Sequence, residues 1–267
     1  MNRIREGRVA VRNPYNAAQT RVLALSPETV DCIVFWTKDP GPLLPYLPEL
    51  DARGYRYYFQ FTRTPYGRAL EPGLREPDAL DAAFRALSRR VGRDRIVWRY
   101  DPILLTEDFG IAAHITDFTA MCGRLAEYAA RVTVSFVDLY PSMKNPCFRA
   151  PDEAEMQEIA AHIGAEARRH GLIAAACCER ADLTPFGIVP AACIDPELVR
   201  SLCGRPLQLR RDRNQRGERG YRRLRHLRQR LRVLLCEPQR CGRKAQRGAA
   251  GSEKPAVVWT ILKDFVF

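Results

Sequence analysis

Apolar and polar residues follow one another in blocks along this chain, and the blocks predict a regular succession of strands and helices. Cys32-Ile-Val-Phe-Trp36 is a continuous apolar run that gives way to Thr37-Lys38-Asp39-Pro40, the pattern of a buried parallel strand and its exit loop. Leu43, Leu44, Leu47 and Leu50 then fall at helical spacing, and Gly54 closes that helix. Tyr57-Tyr-Phe-Gln-Phe-Thr62 is an aromatic strand, followed by the loop Arg63-Thr-Pro-Tyr-Gly-Arg68. Pro77 opens an amphipathic helix through Leu80, Phe84, Leu87 and Val91 that stops at Gly92. Arg95-Ile-Val-Trp-Arg-Tyr-Asp-Pro102 starts as a buried strand, turns charged at Arg99 and Asp101, and is predicted to stop at the proline.

The same alternation continues. Ile111, Ile115, Phe118, Met121, Cys122 and Leu125 mark a helix, and Val132-Thr-Val-Ser-Phe-Val-Asp138 a strand. Asp152 opens a helix through Met156, Ile159, Ile163 and Ala167 to Gly171, and Leu172-Ile-Ala-Ala-Ala-Cys-Cys178 is a further buried strand ending at Glu179. Pro196 to Leu202 is a short last helix, stopped by Gly204. Met1 to Val22 is polar and basic, with a turn at Arg12-Asn-Pro-Tyr-Asn. Five strands alternating with helices predict parallel βαβ units with right-handed crossovers, in an open sheet or part of a barrel. Too few units are present to close eight strands, so the expected fold is α/β with a partial, TIM-barrel-like sheet.

Charge changes the picture only past Gly204. The formal net charge is +12. Residues 1–204 hold 25 Lys and Arg against 26 Asp and Glu, whereas residues 205–267 hold 18 against 5. An α/β domain over 1–204 and an irregular arginine-rich tail over 205–267 are expected. About 17 basic residues from Arg205 to Lys254 can contact phosphates. With Tyr221 nearly the only aromatic among them, such binding to nucleic acid would be non-specific.

Nine cysteines with no C-x-x-C pair do not suggest a disulfide framework. With no apolar leader and no run of about 18 apolar residues, a cytoplasmic protein without a membrane span is expected.

Parallel topology brings the strand ends to one face, and the candidate chemistry lies there. Lys38, Arg99, Asp101 and Glu179 are the candidates for binding and acid–base work, since cations beside carboxylates in a partly dry cleft orient a small anionic or polar molecule. Trp36, Gln60, Thr62, Ser135 and Asp138 are candidate substrate-binding residues. The competing reading is that such groups only tie down strand ends, and roughly half are expected to do so. Cys177 and Cys178 cannot both face inward from one strand, so at least one is expected to be a buried, inert thiol. His114, His162, His170 and His226 lack metal spacing, and solvated helix faces are expected for most; no metal site is read. There is no P-loop and no G-x-G-x-x-G.

Several specific stretches carry a resemblance. They are Asn13-Pro14, Asp31-Cys-Ile-Val-Phe-Trp-Thr-Lys38, Tyr57-Tyr-Phe-Gln-Phe-Thr62, Thr64-Pro-Tyr-Gly67 and Glu71-Pro72. They continue with Val97-Trp-Arg-Tyr-Asp-Pro-Ile103, Ser135-Phe-Val-Asp138, Cys177-Cys-Glu179, Ala192-Cys-Ile-Asp195 and Asp212-Arg-Asn-Gln-Arg216. In these the body resembles an uncharacterised bacterial family, domain of unknown function eighteen-forty-eight, over about four-fifths of the chain. The resemblance implies a radical-SAM-like iron–sulfur enzyme. Intact members end in a cysteine cluster containing C-x-Y-C-Y-A-N, which implies a [4Fe–4S] cluster and S-adenosylmethionine.

This chain departs from that pattern at both ends. It starts after the strand with which family members begin, and arginines replace the cysteine cluster directly after Asn214-Gln-Arg216. Permitted codons for Arg219 to Pro238, read one base later, can spell Ala-Asp-Ile-Gly-Ala-Tyr-Asp-Thr-Cys-Ala-Ser-Ala-Cys-Ala-Tyr-Cys-Tyr-Ala-Asn, so a frameshift is the expected origin of the tail. Cys236 and Cys241 arise from other bases and are not the family's ligands. The expectation is therefore an enzyme scaffold that holds no cofactor in this version. The alternatives are a nucleic-acid binder through the tail, or a cluster-independent binder of a small molecule.

Overall fold

Strands rich in β-branched and aromatic residues need both faces covered when they pair in parallel, and here two separate apolar layers cover them. The computed structural model describes residues 1–13, 16–67, 70–71, 73–139, 147–177, 179–204, 233–238 and 259–261. A short helix, α1 (Asn2–Glu6), leads into a hairpin in which β1 (Arg8–Asn13) runs antiparallel to β2 (Asn16–Ala24). The polar and basic character of this stretch predicted only a turn; the strands escape notice because their apolar residues, such as Val9-Ala10-Val11 and Val22-Leu23-Ala24, are clustered and do not alternate with polar ones.

Next come β3 (Cys32–Thr37), α2 (Leu47–Ala52), β4 (Tyr57–Thr62), α3 (Pro77–Val91) and β5 (Ile96–Ile103). They are followed by α4 (Ile111–Leu125), β6 (Arg131–Phe136), α5 (Glu153–Arg169), β7 (Ile173–Cys177), β8 (Ile188–Ala191) and α6 (Pro196–Cys203). Strands β3 to β8 pair in parallel in chain order. The sheet thus has six parallel strands where five were expected. The extra one, β8, is a four-residue strand, Ile188-Val-Pro-Ala191, whose proline and brevity mask it.

Because strand order does not reverse from β3 to β8, right-handed crossovers return α2 to α5 to the same side. Ile33, Phe59, Trp98 and Val134 face that side and pack with Leu50, Phe84, Phe118 and Ile163 from α2 to α5. Trp98 is fully buried and stacks on Phe118 with centroids 5.3 Å apart. The other face is covered by α6 at the strand starts. There Cys32, Val34, Tyr58 and Val97 pack against Val199 and Cys203 of α6. The Cys203 thiol reaches the Asp31 carbonyl at 3.2 Å, which pins the end of α6 beside the start of β3. Further along the same face, at the carboxyl ends, the side chains turn polar.

The α-helices are set by their ends. Asp152 and Glu155 form a reciprocal capping box on α5, and the Asp195 carboxylate caps α6 through the Glu197 and Leu198 N–H groups. Strand β5 does not stop before Pro102. Its register with β6 shifts between Tyr100 and Ile103 and then resumes, because a bulge accommodates a residue that has no N–H to donate. In the tail, Val233–Pro238 (β9) pairs in parallel with β3, and Trp259–Ile261 (β10) pairs antiparallel with β9. The rest of residues 205–267 lies outside the described residues.

One close approach fixes α5 against the turn before β8. A Cβ on Gly164 would lie 1.9 Å from the Phe186 carbonyl oxygen, which is backbone and cannot swing away. Gly164→Ala is therefore expected to cost about 1–3 kcal/mol by overpacking. Urea unfolding measures this, and an unchanged midpoint would refute the close approach.

Candidate functional site

The change from apolar to polar along one sheet face builds the site. Residues two apart on a strand share a face, so Val34 leads to Trp36, Tyr58 to Gln60, and Val97 to Arg99 and Asp101. Arg99 is the centre of the group and is only 4% exposed. Its Nε donates to Asp101 Oδ2 at 2.8 Å, and Nη2 donates to the same oxygen. Its Nη1 donates to Gln60 Oε1 at 2.7 Å, and the guanidinium lies 4.4 Å from the centre of the Trp36 ring. The second Asp101 oxygen accepts the Ser135 hydroxyl. Gln60 passes the network on, donating its amide to the Cys193 carbonyl. Burial works against the charge of Arg99. Asp101, together with the nearby Cys177 and Cys193, more than offsets that and raises its pKa above the ordinary value.

Glu179 stands just past the end of β7 and accepts the Phe136 N–H at 2.8 Å. Burial raises its pKa to about 7, despite that hydrogen bond, and Asp138, Asp101 and Cys177 add to the rise. A carboxyl group titrating near neutrality beside a fixed carboxylate can give or take a proton at ordinary pH.

Residues 1–220 match the family described as domain of unknown function (DUF1848). The chain belongs to that family. No curated protein matches it.

In this DUF1848 member, five of the nine residues singled out from sequence form one bonded or stacked group: Trp36, Gln60, Arg99, Asp101 and Ser135. Glu179 and Asp138 adjoin it electrostatically, Asp138 from an exposed position. Lys38 pairs instead with Glu71, whose other oxygen accepts the Thr64 hydroxyl at 3.1 Å. Thr62 is buried on β4, opposite Arg99 in the ladder with β5. Asp39 is engaged by Arg75 and by the Gly41 N–H, which is the tie-down role foreseen for part of the set.

Sequence reasoning missed Glu71, Tyr66 and Cys193. The phenol of Tyr66 donates to the Pro102 carbonyl at 2.8 Å and accepts the Leu104 N–H at 3.0 Å, which clamps the loop after β4 over the end of β5. That loop is further anchored by Arg63. Its Nε donates to the buried Asp81 of α3 at 2.7 Å, and Arg124 of α4 reaches the other Asp81 oxygen at 2.8 Å. The motifs Thr64-Pro-Tyr-Gly67 and Glu71-Pro72 were the available signal, without spacing that assigned a role.

His114 corrects the expectation of solvated histidines. It is 1% exposed, with Tyr100 Oη at 2.8 Å from Nδ1 and the Leu104 carbonyl at 2.9 Å from Nε2. The carbonyl needs a donor, so Nε2 carries the proton and Nδ1 accepts from Tyr100. Burial lowers its pKa, which keeps the ring neutral. His162 meets the Thr119 hydroxyl at 2.8 Å, and His226 and Cys178 lie outside the described residues.

The iron–sulfur cluster implied by the resemblance needs three or four converging thiolates. Among the described residues no three Cys, His, Asp or Glu side chains are placed to hold a metal ion, so they do not make such a set. Cys241 and the side chain of Cys236 lie outside the described residues, as does nearly all of the arginine-rich stretch. Among the described residues no helix is long and apolar enough to cross a membrane.

The Glu179 shift sets the sign of a pH effect. Between about pH 4.5 and 7 the folded chain keeps a proton that the unfolded chain releases, so this contribution to stability is full below 4.5 and lost as pH rises through 7. Partial exposure tempers the size to about 1–2 kcal/mol. Glu179→Gln removes the titration, so its stability relative to wild type is expected to rise by that amount from pH 4.5 to 8. Urea unfolding at both pH values tests this; a constant difference would place the Glu179 pKa in the ordinary range.

Proposed function

We propose that the carboxyl end of the sheet binds a small anionic or polar molecule, with Glu179 as the group that exchanges a proton with it. The observation that carries this reading is the convergence of Arg99, Asp101, Gln60, Trp36 and Ser135 at the carboxyl ends of the strands, where Arg99 and Gln60 are buried and Trp36, Asp101 and Ser135 are partly exposed. A strand end needs a single ion pair to be secured. Here a guanidinium is shared by a carboxylate, an amide and an aromatic face, and Glu179, a carboxyl group of raised pKa, interacts electrostatically with that carboxylate. Arg99 and Asp101 hold each other in fixed orientation. Ser135, Trp36 and Glu179 are partly exposed and left to meet a ligand.

The test is ligand-observed NMR with a panel of small carboxylates, phosphates and polyols. Ligands are expected to bind the wild type, and Glu179→Gln together with Ser135→Ala is expected to weaken them about tenfold or more, the scale of one or two lost hydrogen bonds to charged groups. Equal binding by wild type and variant would reduce the cluster to a structural tie.

A finer reading rests on the resemblance. In it the sheet is the substrate-holding part of a radical-SAM-like iron–sulfur enzyme, and this chain lacks its own cluster ligands. Family membership and the in-order parallel sheet with helices on one side support it, although fold by itself does not assign chemistry. Anaerobic reconstitution with iron and sulfide is expected to load little iron on this chain and to give cluster absorbance in a frame-restored version. Cluster absorbance from the chain as it stands would contradict the loss of ligands.

A further inference from the structure

Beside the Arg99 group lies a pair of cysteines that the proposed binding reading does not use. Cys177 ends β7 and is 4% exposed, whereas Cys193, in the segment from β8 to α6, is partly exposed. Their Sγ atoms are 3.0 Å apart, and both are thiols. A disulfide needs roughly 2.05 Å, so a shift of about 1 Å would join them. The register explains the approach, since Cys177 lies opposite Ala191 in the ladder, two residues before Cys193. The Arg99 guanidinium is within electrostatic reach of both sulfurs, while Glu179 and Asp101 are the acidic groups on the same side.

We propose that Cys177 and Cys193 form a redox-active dithiol that reacts with low-molecular-weight disulfides. The more exposed Cys193 gives up its proton and attacks one sulfur of the incoming disulfide RSSR. That S–S bond breaks, a mixed Cys193–S–S–R bond forms, and RS⁻ leaves, taking the proton. Cys177 then attacks Cys193 Sγ, the mixed bond breaks, and its own proton goes to the second RS⁻. Two protein thiols are oxidised to one disulfide, and RSSR is reduced to two RSH. The bond would staple the segment leading into α6 to the end of β7. It would thereby fix the Cys193 carbonyl that holds Gln60, so the oxidation state of the pair bears directly on the Arg99 group.

The experiment uses the full chain, reduced, freed of reductant and equilibrated with oxidised and reduced glutathione at several ratios. Remaining thiols are then alkylated under acid quench, and tryptic peptides are mapped by mass spectrometry. Cys177 falls in the tryptic peptide 170–180 and Cys193 in 181–200. The expected product is these two peptides joined and lighter by two hydrogens, with Cys178 alkylated. Cys178→Ser should keep the joined product, and Cys177→Ser should leave Cys193 as its glutathione adduct. The proposal is overturned if both cysteines stay alkylated at every ratio, or if Cys193 joins Cys178 or another cysteine. The readout is a covalent mass, independent of whether any small molecule binds the strand ends.

Discussion

A guanidinium inside a protein must place its charge and its donors on partners, and Arg99 meets that demand at the carboxyl end of the central strand. The isolated charge would be costly, and pairing with Asp101 alone would repay that cost only with good geometry and further hydrogen bonds. Gln60 and the Trp36 face supply those. Three neighbouring strands are thereby tied at one level, because Trp36, Gln60 and Arg99 come from β3, β4 and β5, and Ser135 of β6 joins through Asp101. Removing Arg99, Asp101, Gln60 or Ser135 leaves a polar group of the others without that partner.

The fold delivers that arrangement by dividing the labour of its two faces. The helix side takes the large aromatics and buries them without polar atoms, apart from groups such as Trp98 Nε1, which donates to the Arg63 carbonyl at 2.9 Å. The other side is apolar only as far as α6 reaches. Helix α6 is held there by its Asp195 cap, by the ion pair of Asp195 with Arg131, and by Cys203 against Asp31. What lies beyond α6 is partly dry and polar, and such surroundings raise the Glu179 pKa. The same crowding brings Cys193 against Cys177.

Most of this was legible in the chain where a pattern extends over many residues. Long helices with marked ends, such as Pro77–Val91 and Glu153–Arg169, and strands with continuous apolar runs were predicted from spacing. So was the charged ending of β5, because Arg99 and Asp101 interrupt an otherwise buried run. What escaped was short or set by tertiary contact. Strand β8 has four residues and a proline, and the apolar residues of β1 and β2 do not alternate with polar ones. His114 looks like a surface residue by type, and only Tyr100 and the Leu104 carbonyl make it a core one. Likewise the separation of Lys38 from Arg99 depends on Glu71, brought in by a loop whose path no periodicity encodes.

The central claim is that the strand-end face is a chemical site and more than a set of ties, and the protonation of Glu179 tests it most directly. The side-chain carboxyl carbon of Glu179 can be followed by ¹³C NMR across pH in glutamate-labelled protein, with its resonance assigned by its loss in Glu179→Gln. The account predicts a midpoint near 7. A midpoint near the ordinary 4.5 would mean that water reaches the carboxylate freely, and would contradict it.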